Sequence, residues 1–174
     1  MKRLFRPYLS IFFIGSFLVT ATSCGDDEPA EPEFPQEEIA SARLVLEPEG
    51  KGALATVNYG PNNQNPGALL KANTTYNGVL TLYDAEGNDI TSEIAQEGDK
   101  HEVFYNPSSG LGITVEKTDD DSKGNPIGLE TTLMTTNAGT GTLNVILKHQ
   151  ADKGASDPNK GETDLTMPIN VVIQ

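Results

Sequence analysis

The chain has 174 residues, a single cysteine and a formal net charge of −13, with 25 acidic against 12 basic side chains. This balance excludes the basic footprint that nucleic-acid binding needs, and a lone cysteine has no partner for an intrachain disulfide. A chain of this length buries an ordinary hydrophobic core without one.

The N-terminus has the order of a secretory signal peptide: basic residues, a short apolar run over 11–19, and small residues at its end. The run is shorter than the roughly 20 apolar residues that a membrane-spanning helix needs. We therefore predict a signal peptide over residues 1–23. Its removal takes away three basic residues and no acid, so the net charge moves from −13 to −16.

Cys24 follows this segment directly, and Ala21-Thr22-Ser23-Cys24 resembles the lipobox of bacterial lipoproteins, with alanine where leucine is usual. The resemblance implies that Cys24 becomes the mature N-terminus, with a diacylglycerol and an amide-linked acyl chain such as palmitate that anchor the protein to a membrane. The alternative is a secreted protein with an unpaired thiol. The acids after Cys24 resemble the surface-export signal of Bacteroidetes lipoproteins, which implies an outer-membrane lipoprotein exposed on the cell surface. The alternative is the periplasmic face.

Residues 24–38 combine the lipidated cysteine with a stretch rich in proline and acid, which predicts an extended tether. The folded domain is predicted over 39–174. Its apolar residues recur mostly with period two, and turn residues separate the runs. The predicted strands cover 42–46, 53–59, 75–84, 101–105, 111–117, 128–136, 142–149 and 164–173.

The first two runs predict a hairpin, and residues 60–68 a loop. A short helix is predicted after residue 90, capped by Asp89 or Thr91 and ended by Gly98. Pro168 suggests that the last strand has an edge or a bulge. The expected fold is all-β, an antiparallel Ig-like β-sandwich of about eight strands with one short helix.

An acidic turn over 119–130 has oxygen-bearing side chains at some positions of an EF-hand loop. Asp119, Asp121 and Glu130 match ligand positions, but Lys123 occupies another, and no helices flank the segment. The two interpretations are a calcium site and a β-turn whose carboxylates face water.

The two histidines of the chain, His101 and His149, each lie at the end of a predicted strand. If those strands are antiparallel neighbours, the rings meet at one end of the sandwich. Imidazole is a preferred ligand of divalent transition metals, and Glu102, Asp99 or Asp152 would then complete a site. The alternative is two histidines that bind no ligand.

The sequence has no nucleophile elbow, phosphate loop or zinc-hydrolase helix motif, so we do not expect an enzyme. A small hydrolase is the least supported interpretation. The absence of tryptophan lowers the expectation of glycan binding.

Several stretches resemble a family of uncharacterised Bacteroidetes lipoproteins: 69–76, 89–94, 101–105, 124–129 and 147–150. Such proteins are often labelled type 1 periplasmic-binding-like, although that two-lobed α/β fold does not suit a chain this short and β-rich. The resemblance implies a position beside a TonB-dependent receptor of the outer membrane. The expected function is a non-enzymatic, lipid-anchored binding or accessory protein, with capture of a divalent metal as one version. The alternative is a structural or adhesion-type surface domain.

Overall fold

Two β-sheets and one short helix form the part of the chain that the computed structural model describes, residues 38–149 and 151–174. In chain order the elements are β1 (Ser41–Pro48), β2 (Ala55–Tyr59), β3 (Gly67–Leu70), β4 (Thr75–Tyr83), α1 (Thr91–Gln96), β5 (His101–Pro107), β6 (Ile113–Lys117), β7 (Glu130–Thr135), β8 (Gly139–His149) and β9 (Glu162–Ile173). The predicted all-β sandwich is confirmed.

One sheet has the strand order β2-β1-β4-β7-β6 and is antiparallel throughout. The other has the order β3-β9-β8-β5, in which β3 runs parallel to β9. Sequence analysis did not predict β3, whose first residues fall in the stretch read as a loop. Only four residues long, it is fixed by main-chain pairing to a strand about a hundred residues later, and nothing in its local pattern indicates that partner.

The core lies on the inward-facing positions of both sheets, because side chains of a strand alternate between its two faces. In β8, Leu143, Val145 and Leu147 are buried and are separated by half-buried residues. The inward positions of β9 continue the same layer through Met167 and Ile169. His149 holds the next inward position of β8, so the same alternation places its side chain at the end of the core.

The strand β9 contains a bulge near its start. Leu147 pairs with Leu165, whereas the next residue of β8, Lys148, pairs with Thr163. Asp164 is therefore the extra residue of the bulge. The irregularity lies four residues before Pro168, which pairs with Asn144 of β8 and precedes the part of β9 that pairs with β3.

The predicted helix is present as α1, but neither Asp89 nor Thr91 is its N-cap residue. The N-cap residue is Ile90, without a side-chain cap hydrogen bond. The hydroxyl of Thr91 instead accepts a hydrogen bond from the backbone N–H of Leu82, and the carboxylate of Asp89 accepts one from the N–H of Thr91. Tertiary contact with β4 thus takes the hydroxyl that would have capped the helix.

The predicted signal peptide, the lipid-bearing Cys24 and nearly all of the predicted tether lie outside the described residues. Among the described residues, no helix is long and apolar enough to cross a membrane.

Candidate metal centre

The structure brings His101 and His149 together at one end of the sandwich. His101 opens β5 and His149 closes β8, and the two residues are direct partners in the antiparallel ladder. Their ring centroids are 4.6 Å apart, with the planes tilted by 35°. The sequence predicts that the rings meet if the two strands are antiparallel neighbours, and β5 and β8 are such neighbours.

A third side chain, Asp164, completes the cluster. Its Oδ2 lies 3.8 Å from His101 Nε2 and 3.9 Å from His149 Nδ1. Regular alternation backward from Leu165 would bring Thr163 to the inward face, and the extra residue in β9 instead allows the Asp164 carboxylate to reach it. Within residues 38–149 and 151–174, these three form the only group of three His, Cys, Asp or Glu side chains with converging donor atoms.

The main chain fixes the protonation of the His101 ring. Its Nδ1 lies 3.1 Å from the carbonyl oxygen of Glu97, directly after α1. A carbonyl oxygen only accepts hydrogen bonds, so Nδ1 carries the proton and donates it. In the neutral ring Nε2 then has a free lone pair, and this buried atom has no hydrogen-bond partner.

Burial governs the charges of the cluster. The side chains of His101 and Asp164 are 1% and 5% exposed, and that of His149 is 11% exposed. Burial lowers the pKa of His101 below its ordinary value of 6.5, which favours the neutral ring. Burial also raises the pKa of Asp164 above 3.8, against the opposing effect of His149. Burial thus disfavours the charged forms of both groups, and the Nε2 lone pair of His101 lies 3.8 Å from a carboxyl oxygen of Asp164.

The donor set fits a divalent transition metal of the zinc class. Two imidazole nitrogens and one carboxylate oxygen are typical zinc ligands, and a ligating histidine usually donates its other ring N–H to a group such as a backbone carbonyl. The Glu97 carbonyl supplies that contact for His101. The three donor atoms lie within 4.8 Å of one another, and metal bonds of about 2.0–2.2 Å would draw them together by about an ångström. His149, the most exposed of the three, lies at a strand end.

Glu102, the acid predicted to join the histidines, faces away from them. It is next to His101 in the strand and therefore points to the opposite face of β5. Its Oε1 accepts hydrogen bonds of 2.5 Å from Lys117 Nζ and Ser156 Oγ. The proposal of Glu102 as a third ligand was therefore wrong, because strand alternation separates it from the pair.

The other two acids considered for this site also have separate partners. Asp99 Oδ2 lies 3.3 Å from Lys123 Nζ, and Asp152 Oδ2 lies 2.6 Å from Lys160 Nζ. Both pairs are solvent-exposed.

The acidic turn forms a hydrogen-bonded loop. Asp119 accepts hydrogen bonds from the backbone N–H groups of Gly128 and Leu129. Asp121 accepts from the N–H groups of Lys123 and Asn125, and these bonds hold its pKa below 3.8. Glu130 is exposed at the start of β7 and does not join these acids in a converging group. The carboxylates of Asp119 and Asp121 order the loop through backbone contacts, which favours a turn over a calcium site. The prediction that these carboxylates face water is wrong for Asp121, whose side chain is 1% exposed and lies 3.8 Å from Lys153 Nζ.

Asp164 was missed by sequence reasoning because its position depends on the bulge. It begins the predicted last strand, 164–173, but a regular strand gives no reason for its side chain to meet His149. The only sequence signal was an acid close to a strand start, and that signal is common.

Comparisons with known proteins add little to this geometry. No family model matches the chain, and no curated protein matches it. Among solved structures, the chain is similar to domains 4 and 5 of the S-layer protein SbsC, with 13% identity and a TM-score of 0.32, over 74% of this chain and 76% of that one.

Proposed function

We propose that this protein is a non-enzymatic, lipid-anchored envelope protein that binds a divalent transition metal through His101, His149 and Asp164. The observation that carries the proposal is the buried, unpartnered Nε2 of His101, which faces the Asp164 carboxylate. An unsatisfied buried acceptor costs about 1–3 kcal/mol, and a cation between the two acceptors would remove that cost.

The chemistry of the donors defines the class of ion. Calcium and magnesium prefer sites built from oxygen ligands, whereas imidazole suits zinc, copper, nickel and iron. Three protein ligands would leave one position of a tetrahedral ion for water or an outside donor, as in open zinc sites. We propose the accessory role beside an outer-membrane receptor on the basis of the sequence resemblance alone.

Metal binding is tested by titration of the purified protein with zinc and, separately, with calcium. We expect one equivalent of zinc, bound more tightly than about 100 μM, which corresponds to roughly −5.5 kcal/mol. The chain has only two histidines, so the imidazole NMR signals report both candidate ligands without interference. Both sets of signals should shift with zinc and neither with calcium.

Weaker zinc binding, or a stoichiometric complex that leaves either imidazole unchanged, would refute the metal site. The adhesion-type alternative would then be the better interpretation.

The anchor is tested separately in the native host. Mass spectrometry of the mature N-terminus should find acyl groups on Cys24, and the Cys24→Ala variant should leave the membrane fraction. An intact, unacylated N-terminus would refute the proposed location.

A further inference from the structure

Two of the candidate metal ligands flank the loop between β8 and β9 in the sequence. We name its residues 151–161 the strap. His149 lies just before the strap, and Asp164 lies in the bulge just after it. An ion bound to both side chains would connect the two ends of the strap.

The middle of the strap is attached to the strand that carries the third ligand. Lys153 Nζ donates hydrogen bonds to the carbonyl oxygens of His101, at 2.8 Å, and Pro126, at 2.5 Å. The N–H of Ala151 donates to the carbonyl of Lys100. Ser156 Oγ donates to Glu102. The strap therefore contacts the residue before His101, His101 itself and the residue after it.

These contacts are buried and chemically specific. The Lys153 side chain is only 7% exposed, although the residue belongs to a loop between two strands. Its ammonium group donates to the His101 carbonyl in β5 and to the Pro126 carbonyl in the segment between β6 and β7, and it lies 3.8 Å from the buried Asp121 carboxylate, so all three groups would lose this partner if the strap moved away. Opening the strap would thus free carbonyls beside His101 and move the chain on which His149 and Asp164 lie.

We infer that an ion held by His101, His149 and Asp164 locks the strap against β5, so that metal occupancy sets how readily the strap opens. This inference rests on the proposed function. Coupling of this kind is reciprocal: if the ion stabilises the closed strap, the contacts of the strap must strengthen ion binding by the same factor.

The first test is cleavage by trypsin after Lys153, followed by mass spectrometry with and without zinc. Because Lys153 is buried, it must leave its carbonyl partners before a protease can bind it. At a free zinc concentration 100 times the dissociation constant, the open population should fall about 100-fold, and cleavage after Lys153 should slow by the same factor. Lys51, exposed in the β1–β2 turn, is the internal control, and its cleavage should change less than twofold.

The second test is the Ser156→Ala variant. Alanine keeps the Cβ that Ser156 carries at its positive φ of 47° and removes only the hydroxyl that contacts Glu102. Because typical coupling between sites is about 5–150-fold, zinc affinity should fall about fivefold or more although no ligand has changed.

The outcomes separate this inference from the function on which it rests. Zinc binding with slowed cleavage after Lys153 and weaker binding by Ser156→Ala supports the lock. Zinc binding with unchanged cleavage after Lys153, or unchanged affinity in the variant, overturns the lock and leaves the metal site in place. Absence of zinc binding in the titration removes both.

Discussion

Replacement of Asp164 by asparagine should greatly weaken metal binding and yet stabilise the metal-free protein. The two shapes are nearly identical, but the amide has no negative charge and offers an N–H donor. In the native cluster the carboxylate faces the lone pair of His101 Nε2 at 3.8 Å, and burial raises the pKa of Asp164. The amide N–H of Asp164→Asn can instead donate to this buried acceptor.

The expected gain in stability of the metal-free fold and the expected loss of metal affinity are estimated separately. Satisfaction of one buried acceptor should stabilise the metal-free fold by about 1 kcal/mol, the lower end of the cost of leaving it unpaired. For a domain of this size that corresponds to roughly 3–5 °C in melting temperature. Loss of an outer-shell partner typically costs about 10–100-fold in metal affinity, so loss of a ligand should cost at least about 100-fold.

The assay combines zinc titration with thermal melts in the presence of a chelator. The matched control is Asp99→Asn, which removes the same charge near His101 from an exposed acid that pairs with Lys123. The control should change zinc affinity less than about twofold, in line with the small effect of exposed charges. Zinc affinity within threefold of the native protein in Asp164→Asn would show that the carboxylate is not a ligand. A metal-free melting temperature that falls would refute the argument that the cluster lacks a cation.

Three further predictions concern the surroundings of the site, each measured by urea unfolding. Lys117→Met leaves the fully buried Glu102 without its ammonium partner and should destabilise the fold by about 3 kcal/mol or more, whereas Lys123→Met, at an exposed pair, should change it by less than about 1 kcal/mol. Equal effects would contradict the assignment of Glu102 to a buried pair. Gly128→Ala puts a Cβ within 2.9 Å of a β5 carbonyl oxygen at a φ of 94° and should cost about 1–3 kcal/mol, and a neutral result would refute the close approach. Backbone hydrogen bonds within its turn lower the pKa of Asp121 below 3.8, so the ionised carboxylate stabilises the fold above about pH 4, and this contribution is lost as pH falls through the lowered pKa. The free energy of unfolding of Asp121→Asn should therefore fall less on acidification than that of the native protein. An unchanged pH profile would contradict the role of the carboxylate.

The parts of the fold that sequence could predict are those with a local pattern. The alternation in β8 identifies a strand with one buried face, and the same parity puts His149 on that face. His101 begins a strand whose first residues are buried on both faces, so no alternation in the sequence indicates which way its side chain points. The meeting of the two histidines followed only on the assumption that β5 and β8 are neighbours, which the sequence did not establish.

The parts that could not be predicted depend on long-range pairing. The strand β3 exists because Gly67–Leu70 pairs with the end of the chain. Asp164 reaches the histidines because β9 contains one more residue than β8 needs at that point. The sequence suggested a bulge at Pro168, where a ring removes a hydrogen-bond donor, but the irregularity lies at Asp164, where no residue type indicates it.

The two buried acids beside the histidines are in opposite electrostatic situations, and this contrast is the strongest argument for an exchangeable ion. Glu102 has a fixed cation, since Lys117 Nζ lies 2.5 Å from its Oε1. In the described part of the chain, the ion-pair contacts of Asp164 involve only the two imidazoles, and burial disfavours the charged form of His101. The chain therefore places a lysine ammonium against the acid on one face of β5, whereas on the other face the acid meets two imidazole rings and, within the described residues, no lysine or arginine in an ion pair. A buried carboxyl group whose close ion-pair contacts are imidazole nitrogens gains most from a cation that comes from outside the chain.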